Sequence, residues 1–293
     1  MMPIFWSLLS AVLFAGTFLL VKIGRDTAST LSVLWITLTV NIIILWGWSL
    51  AWQQPSFSDW WSWRFFILAG LFAPLLGRLF QFIGMAHLGA NITTPITLTH
   101  PLVTMIIAVV LLDESVTLPK LVGGILVLAG SLLIGTQGIL SQQVSSILAS
   151  GSRRFLLFPV AAAMAYGISI VYRKIGIDLG SDPITASAIT TFTSWLVVTC
   201  YVLIRRHATL IRCTKEEAYY FGAAGVLSSL GPVFLYRALQ EGDLIIVAPL
   251  AATTPLFVLF GTWLMSRQTE SFSRSVMMGT VCIVIGVNLI TAL

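Results

Sequence analysis

Charge is what this sequence has least of. Only 9% of its 293 residues are Asp, Glu, Lys or Arg, against roughly a quarter in a soluble domain. Such a chain cannot dress a water-facing surface, so its exterior faces lipid. Acids are scarcer still inside the apolar runs: no Asp or Glu falls near the middle of any of them. An intramembrane enzyme would need paired acids, a Ser/His or Cys/His pair or an HExxH helix at membrane depth, and none occurs. The three cysteines, Cys200, Cys213 and Cys282, are scattered and lack CxxC spacing. They build neither a disulfide framework nor a metal site, and no cofactor is expected. Also missing is any basic run interleaved with aromatics. The net charge of +5 and pI near 9.4 therefore read as loop lysines and arginines beside anionic headgroups, not as a nucleic-acid footprint.

What is present is hydrocarbon. Apolar residues fill 57% of the chain, and about 20 of them in a row suffice to cross a bilayer. Hydropathy predicts spans at 4–23, 30–51, 64–86, 90–112, 119–139, 155–173, 184–204, 218–239, 244–266 and 275–292. The run from Pro3 to Val21 has no positive residue before it, and a similar segment recurs deep in the chain, so it reads as a first membrane helix rather than a leader. A polar stretch, 141–154, rich in Ser, Gln and Gly, divides residues 1–140 from residues 155–293.

The two parts repeat. Lys22-Ile23-Gly24 closes the first span and Lys174-Ile175-Gly176 the sixth, 152 residues on. Pro95 and Pro101 return as Pro249 and Pro255, 154 residues on, and Gly123 and Gly130 as Gly279 and Gly286, 156 on. Five spans is an odd number, so two copies joined by a short linker run in opposite directions. The expected fold is all-α and integral to the membrane: ten helices as two inverted five-helix repeats, an architecture recurrent in secondary transporters. The glycine pairs, seven residues apart on one helical face, suit close packing or a dimer seam.

Ionisable residues at mid-span mark candidate sites, because they are costly in lipid and face a cavity or a partner. Two qualify, Arg78 and His100. Arg78 follows Pro74 and Gly77, where the helix is expected to kink. With no acid at its depth, it either pairs with a substrate carboxylate or phosphate, or hydrogen-bonds freed carbonyls; the first reading is preferred. His100, between Pro95 and Pro101, titrates near neutrality and could bind substrate or carry a proton; a plain interhelical hydrogen bond is the preferred reading. Lys22, Arg173, Lys174, Arg205, Arg237, Asp113 and Glu241 sit at span ends, where snorkelling accounts for them. Polar residues that could complete a cavity are Asn41, Gln81, Tyr166, Ser169, Ser228 and Thr253, with Trp195 as an aromatic wall. Pro74, Pro95, Pro101, Pro232, Pro249 and Pro255 are the candidate kink and gating positions. Trp46, Trp48, Trp52, Trp60, Trp61 and Trp63 flank one loop and read as an interfacial belt.

Tyr236-Arg237-Ala238-Leu239-Gln240-Glu241-Gly242-Asp243, then Val247-Ala248-Pro249-Leu250 and Thr254-Pro255-Leu256, resembles the second-half signature of the EamA branch of the drug/metabolite transporter superfamily. The first half echoes it in Ala86-His87-Leu88-Gly89-Ala90 and in the acidic turn Asp113-Glu114-Ser115-Val116-Thr117; Ser266 to Glu270 is a looser second turn. The resemblance covers the whole chain. It implies a central cavity and the export or exchange of a small metabolite, amino-acid-like or otherwise anionic, in a bacterial inner (plasma) membrane. A carrier of phosphorylated or nucleotide-linked sugars is the alternative, and would need more than one cavity cation. The expected partners are the solute, the bilayer, and a coupling proton or counter-substrate, with the chain a monomer or homodimer. Small multidrug antiporters of the superfamily use a glutamate in the first helix; residues 4–21 hold no acid, which argues against that route. The resemblance puts both termini in the cytoplasm, whereas lysine and arginine counted by loop favour the opposite side.

Overall fold

The computed structural model describes residues 2–24, 28–53, 60–88, 90–115, 117–136, 152–204, 213–265 and 274–291, and every regular element among them is helical. In chain order these are α1 (Met2–Gly24), α2 (Thr30–Trp48, continued by a π-type turn Ser49–Gln53), α3 (Trp60–Gly70), a wider turn Leu71–Leu76, α4 (Gly77–Leu88), α5 (Ala90–Thr97), α6 (His100–Leu111) and α7 (Leu118–Thr136). After a 3-10 turn, Ser152–Leu156, come α8 (Leu157–Asp178), α9 (Pro183–Ile204), α10 (Lys215–Glu241), α11 (Leu244–Ala251), α12 (Thr254–Met265) and α13 (Arg274–Thr291). Where ten spans were expected, seven helical segments among the described residues are long and apolar enough to cross a membrane. The fourth, fifth and tenth expected spans contain shorter apolar helices: His100–Leu111, Leu118–Ile134 and Met277–Ile290. Most of the linker 141–154, and the second acidic turn Ser266 to Glu270, lie outside the described residues, as does the ring of Pro95.

Helix ends are tied down by side chains. Thr214 and Glu217 form a reciprocal capping box at the start of α10. Glu217 is buried, and its other oxygen accepts from Ala28 N–H at 2.8 Å, fixing the α1–α2 connection to α10. Glu114, from the first acidic turn, accepts from the N–H groups of Leu244 (2.8 Å) and Ile245 (3.0 Å). A carboxylate on the orphan donors of α11 is what the helix dipole favours. It also ties one half of the chain to the other.

Packing follows the repeat. α1 lies along α10, and its counterpart α8 lies along α3 and α4, the counterparts of α10. Gly24 seats the Tyr220 ring, and its repeat mate Gly176 seats Phe66, the mate of Tyr220, with a would-be Cβ only 2.5 Å from that ring. The Lys-Ile-Gly motif is thus a socket for an aromatic side chain of the other half. Two further helix pairs join counterparts directly. Along α2 and α9, Trp35 Nε1 donates to Thr199 Oγ1 (3.1 Å), Trp195 Nε1 to Thr39 Oγ1 (3.0 Å), and Ser49 bonds Thr185 (2.9 Å). Numbers rise on one helix as they fall on the other, so the pair is antiparallel.

The same holds for α7 and α13. Gly123 faces Gly286 and Gly130 faces Gly279, and a Cβ on Gly279 would sit 2.7 Å from the Gly130 carbonyl. These helices touch backbone to backbone, as small residues allow where apolar burial gives no preference for protein over lipid. The glycine seam is spent within the chain; it is not a free dimer face. Gly130→Leu must force this seam apart and should cost about 1–3 kcal/mol. Gly47→Leu, with nothing near its Cβ position, should be silent. Thermal unfolding of both variants in detergent, followed by monodispersity on gel filtration, checks the pair.

Candidate functional site

The third span is broken, and the break organises the site. Ala73 precedes Pro74, a position where the ring of proline disfavours the helical conformation. Ala73 is accordingly extended (φ −147°, ψ 131°), and the helix resumes only when Gly77 N–H reaches back to Phe72 O. Pro74 has no N–H for the carbonyl of Gly70, and the extended residue disturbs those beside it. In lipid these carbonyls must be satisfied by the protein. Ser194 of α9 donates to Gly70 O (2.9 Å), Ser169 of α8 to Ala69 O (2.9 Å), and Arg173 of α8 to Ala73 O (3.3 Å). Gly70 makes room for this: a Cβ there would meet Thr190 O at 2.5 Å.

On one side of the break four of the expected site residues converge. The ring of Tyr166 lies flat on Gly77, whose would-be Cβ is 3.0 Å away. The Tyr166 hydroxyl donates to Gln81 Oε1 at 3.0 Å, and Arg78 reaches the same hydroxyl as a donor. The His100 ring centroid is 5.8 Å from that of Tyr166, and its buried Nδ1 has no hydrogen-bond partner among the described residues. Neither Arg78 nor Arg173 forms an ion pair among the described residues. The cluster therefore carries net positive charge, an aromatic face and an unspent imidazole nitrogen.

His100 is held by a second break. Between α5 and α6 the chain opens at Leu98–Thr99, where Thr99 Oγ1 donates to Ile96 O at 2.7 Å. Between α11 and α12 the chain opens at the matching place, Ala252–Thr253, where Thr253 Oγ1 donates to Leu250 O at 2.7 Å. In the second copy Thr254 also donates, to Ala251 O at 2.9 Å, a carbonyl that Pro255 leaves without a donor. His100 stands in its place in the first copy. Pro101 and Pro255 thus follow the two breaks, Pro95 and Pro249 lie inside α5 and α11, and Pro232 is carried within the unbroken α10.

The other expected residues serve elsewhere. With its amide nitrogen donating, Asn41 reaches Thr37 O (2.9 Å), Gly225 O (2.6 Å) and Ser228 Oγ (2.9 Å), a buried clamp between α2 and α10. Trp195 packs against the cluster of Leu34, Leu38 and Val198, as do Trp35 and Leu75, the last from the turn after Ala73. Trp60 and Trp61 are exposed, with the Arg64 guanidinium 3.4 Å from the Trp61 ring centroid, as an interfacial belt requires. Trp46 instead turns inward, against Leu45, Ile184 and Ala188.

Arg173 is the correction of most consequence. It does not snorkel from the end of its helix. Its guanidinium sits 5.4 Å from the ring centroid of the fully buried Tyr236, and its buried Nε is unpartnered among the described residues. Side chains on a helix lean toward its N-terminus, so a cation near the C-terminal end of α8 points into the protein.

The repeat makes the cluster stand out. Phe14 lies against Gly231, with a would-be Cβ 3.2 Å from its ring, and these two are the mates of Tyr166 and Gly77. Around them Arg78 is matched by Pro232, Gln81 by Leu235, His100 by Thr254 and Arg173 by Val21. One packing arrangement occurs twice, apolar in one copy and cationic in the other.

The sequence profile of the EamA-like transporter family matches residues 1–136 and again 153–292. This chain belongs to that family. It carries two EamA repeats of the drug/metabolite transporter superfamily and is a multi-pass membrane protein. A crystal structure 15% identical in sequence superposes with a TM-score of 0.78 over 98% of this chain and 97% of its own, which shows a shared fold. An uncharacterized protein of Methanocaldococcus jannaschii is 23% identical over 136 residues, 46% of this EamA chain but 95% of the archaeal one. That relative has about the length of a single repeat.

In this EamA protein the opened carbonyls of Ala69 and Gly70 depend on two serine hydroxyls. Ser169→Ala and Ser194→Ala each strip a donor from a buried carbonyl and should each cost about 1 kcal/mol of stability, more than additively when combined. Thermal unfolding of the two single variants and the double variant measures it.

Proposed function

We propose that this chain is a secondary transporter of a small anionic or amino-acid-like metabolite. It works by alternating access between two inverted five-span halves, as an exporter or exchanger. The observation that carries the reading is Arg78: a partly buried guanidinium beside Tyr166 and Gln81, with no carboxylate partner among the described residues. A charge at mid-membrane costs about 2.5–3.5 kcal/mol even on the mildest scale. The matching position, Pro232, does without it while the surrounding packing is kept, so the scaffold does not need the charge. An anionic solute would neutralise it. Inversion of the halves is supported by two pairs of counterpart helices, α2 with α9 and α7 with α13. Each pair runs antiparallel, as a repeat operation that reverses direction requires. The paired breaks in the fourth and ninth spans supply bending points symmetrically, one in each half, which a rocking motion about the site would use.

Reconstituted in proteoliposomes and screened against pools of small metabolites, the wild-type protein should move anionic solutes. Arg78→Gln should slow that flux about ten- to a hundredfold, the worth of a hydrogen bond to a charged group. Equal flux through the variant would remove Arg78 from the binding site and with it this reading.

A further inference from the structure

Arg173 gives the site a second cation. Tyr166, Ser169 and Arg173 fall at i, i+3 and i+7 on α8, so one face of that helix carries all three. Tyr166 meets Arg78 at one end of this face, and Ser169 and Arg173 meet the opened backbone of Ala69 to Ala73 at the other. The separation along α8 from Tyr166 to Arg173 is roughly 10 Å, at 1.5 Å per residue. Of the guanidinium donors of Arg173, one is spent on Ala73 O, and the buried Nε is unspent. A helix break that needed only a cap would be served by a hydroxyl, as it is at Ala69 and Gly70. The repeat mate of Arg173 is Val21, which faces a copy whose matching helix, α10, is unbroken.

We infer that Arg173 and Arg78 bind the two ends of one solute, and that the transported class is a doubly charged anion with its charges at opposite ends. This rests on the anion-carrier reading above and narrows it. Two cations served by one face of α8, neither with a carboxylate partner among the described residues, select against monoanions. A monoanion leaves one buried cation without a partner, and an uncompensated buried charge is costly.

The test is uptake of succinate and of monomethyl succinate by the same proteoliposomes, with protein-free vesicles giving the leak. The two probes differ by one masked carboxylate. Wild-type protein should prefer succinate by about tenfold or more, and Arg173→Gln should abolish most of that ratio, as loss of one charged hydrogen bond predicts. Arg173→Lys keeps the charge and should keep a preference for succinate, which holds the inference open to test if the glutamine variant does not fold. A wild-type protein that moves both probes equally, or a ratio unchanged in Arg173→Gln, overturns the inference and leaves the anion carrier standing. If neither probe moves above the leak, the inference falls; if the wider screen of anions is also silent, the anion-carrier reading falls with it.

Discussion

A backbone carbonyl in hydrocarbon has no water to turn to, and that constraint shapes this molecule. Unbroken helices meet it by themselves. Where the chain leaves the helix at Ala73, other helices supply the missing donors, and after Ala252–Thr253 a neighbouring hydroxyl does. Ser169, Ser194 and Arg173 answer the first break, and Thr254 answers the carbonyl that Pro255 frees. The breaks are therefore possible only where α8 and α9 press against the third span, or where a hydroxyl stands next in sequence. Polar groups gather there for a structural reason, and the site is built from what they have left over.

The duplication turns that observation into an argument about function. Two equivalent pockets provide an internal control: Phe14 on Gly231 and Tyr166 on Gly77 make the same contact in the two copies. What the apolar copy lacks is not required for that contact. Arg78, Gln81, His100 and Arg173, set against Pro232, Leu235, Thr254 and Val21, are the excess of one copy over the other. Cost points the same way, since each interior charge opposes insertion.

Much of this was legible in the sequence, and the legible part was periodic. Glycines at 123, 130, 279 and 286 foretold a close seam, and prolines at 101 and 255 foretold paired breaks, because glycine and proline act locally on the backbone. Arg78 and His100 stood out by depth. Arg173 did not, because depth counted along the chain places it near a helix end. The direction of a helical side chain decides where its charge lies, and at a C-terminal end that direction is inward. Its mismatch with Val21 was the available signal. Asn41 and Ser228 were legible as polar and buried, yet their pairing across α2 and α10 depends on a helix contact that spacing alone does not encode. Nor does spacing tell that the glycine seam closes on the chain itself, since one sequence face would serve a second copy as well.

The claim that only one of two equivalent pockets is a solute site is open to a direct measurement. In a background with Cys200, Cys213 and Cys282 replaced by serine, single cysteines at Gln81 and at its mate Leu235 can be compared for reaction with a membrane-impermeant, anionic thiol reagent in sealed vesicles. The account predicts that Gln81→Cys reacts and is slowed by a transported anion, while Leu235→Cys stays inert. Equal labelling at both positions, or an inert Gln81→Cys, would contradict it.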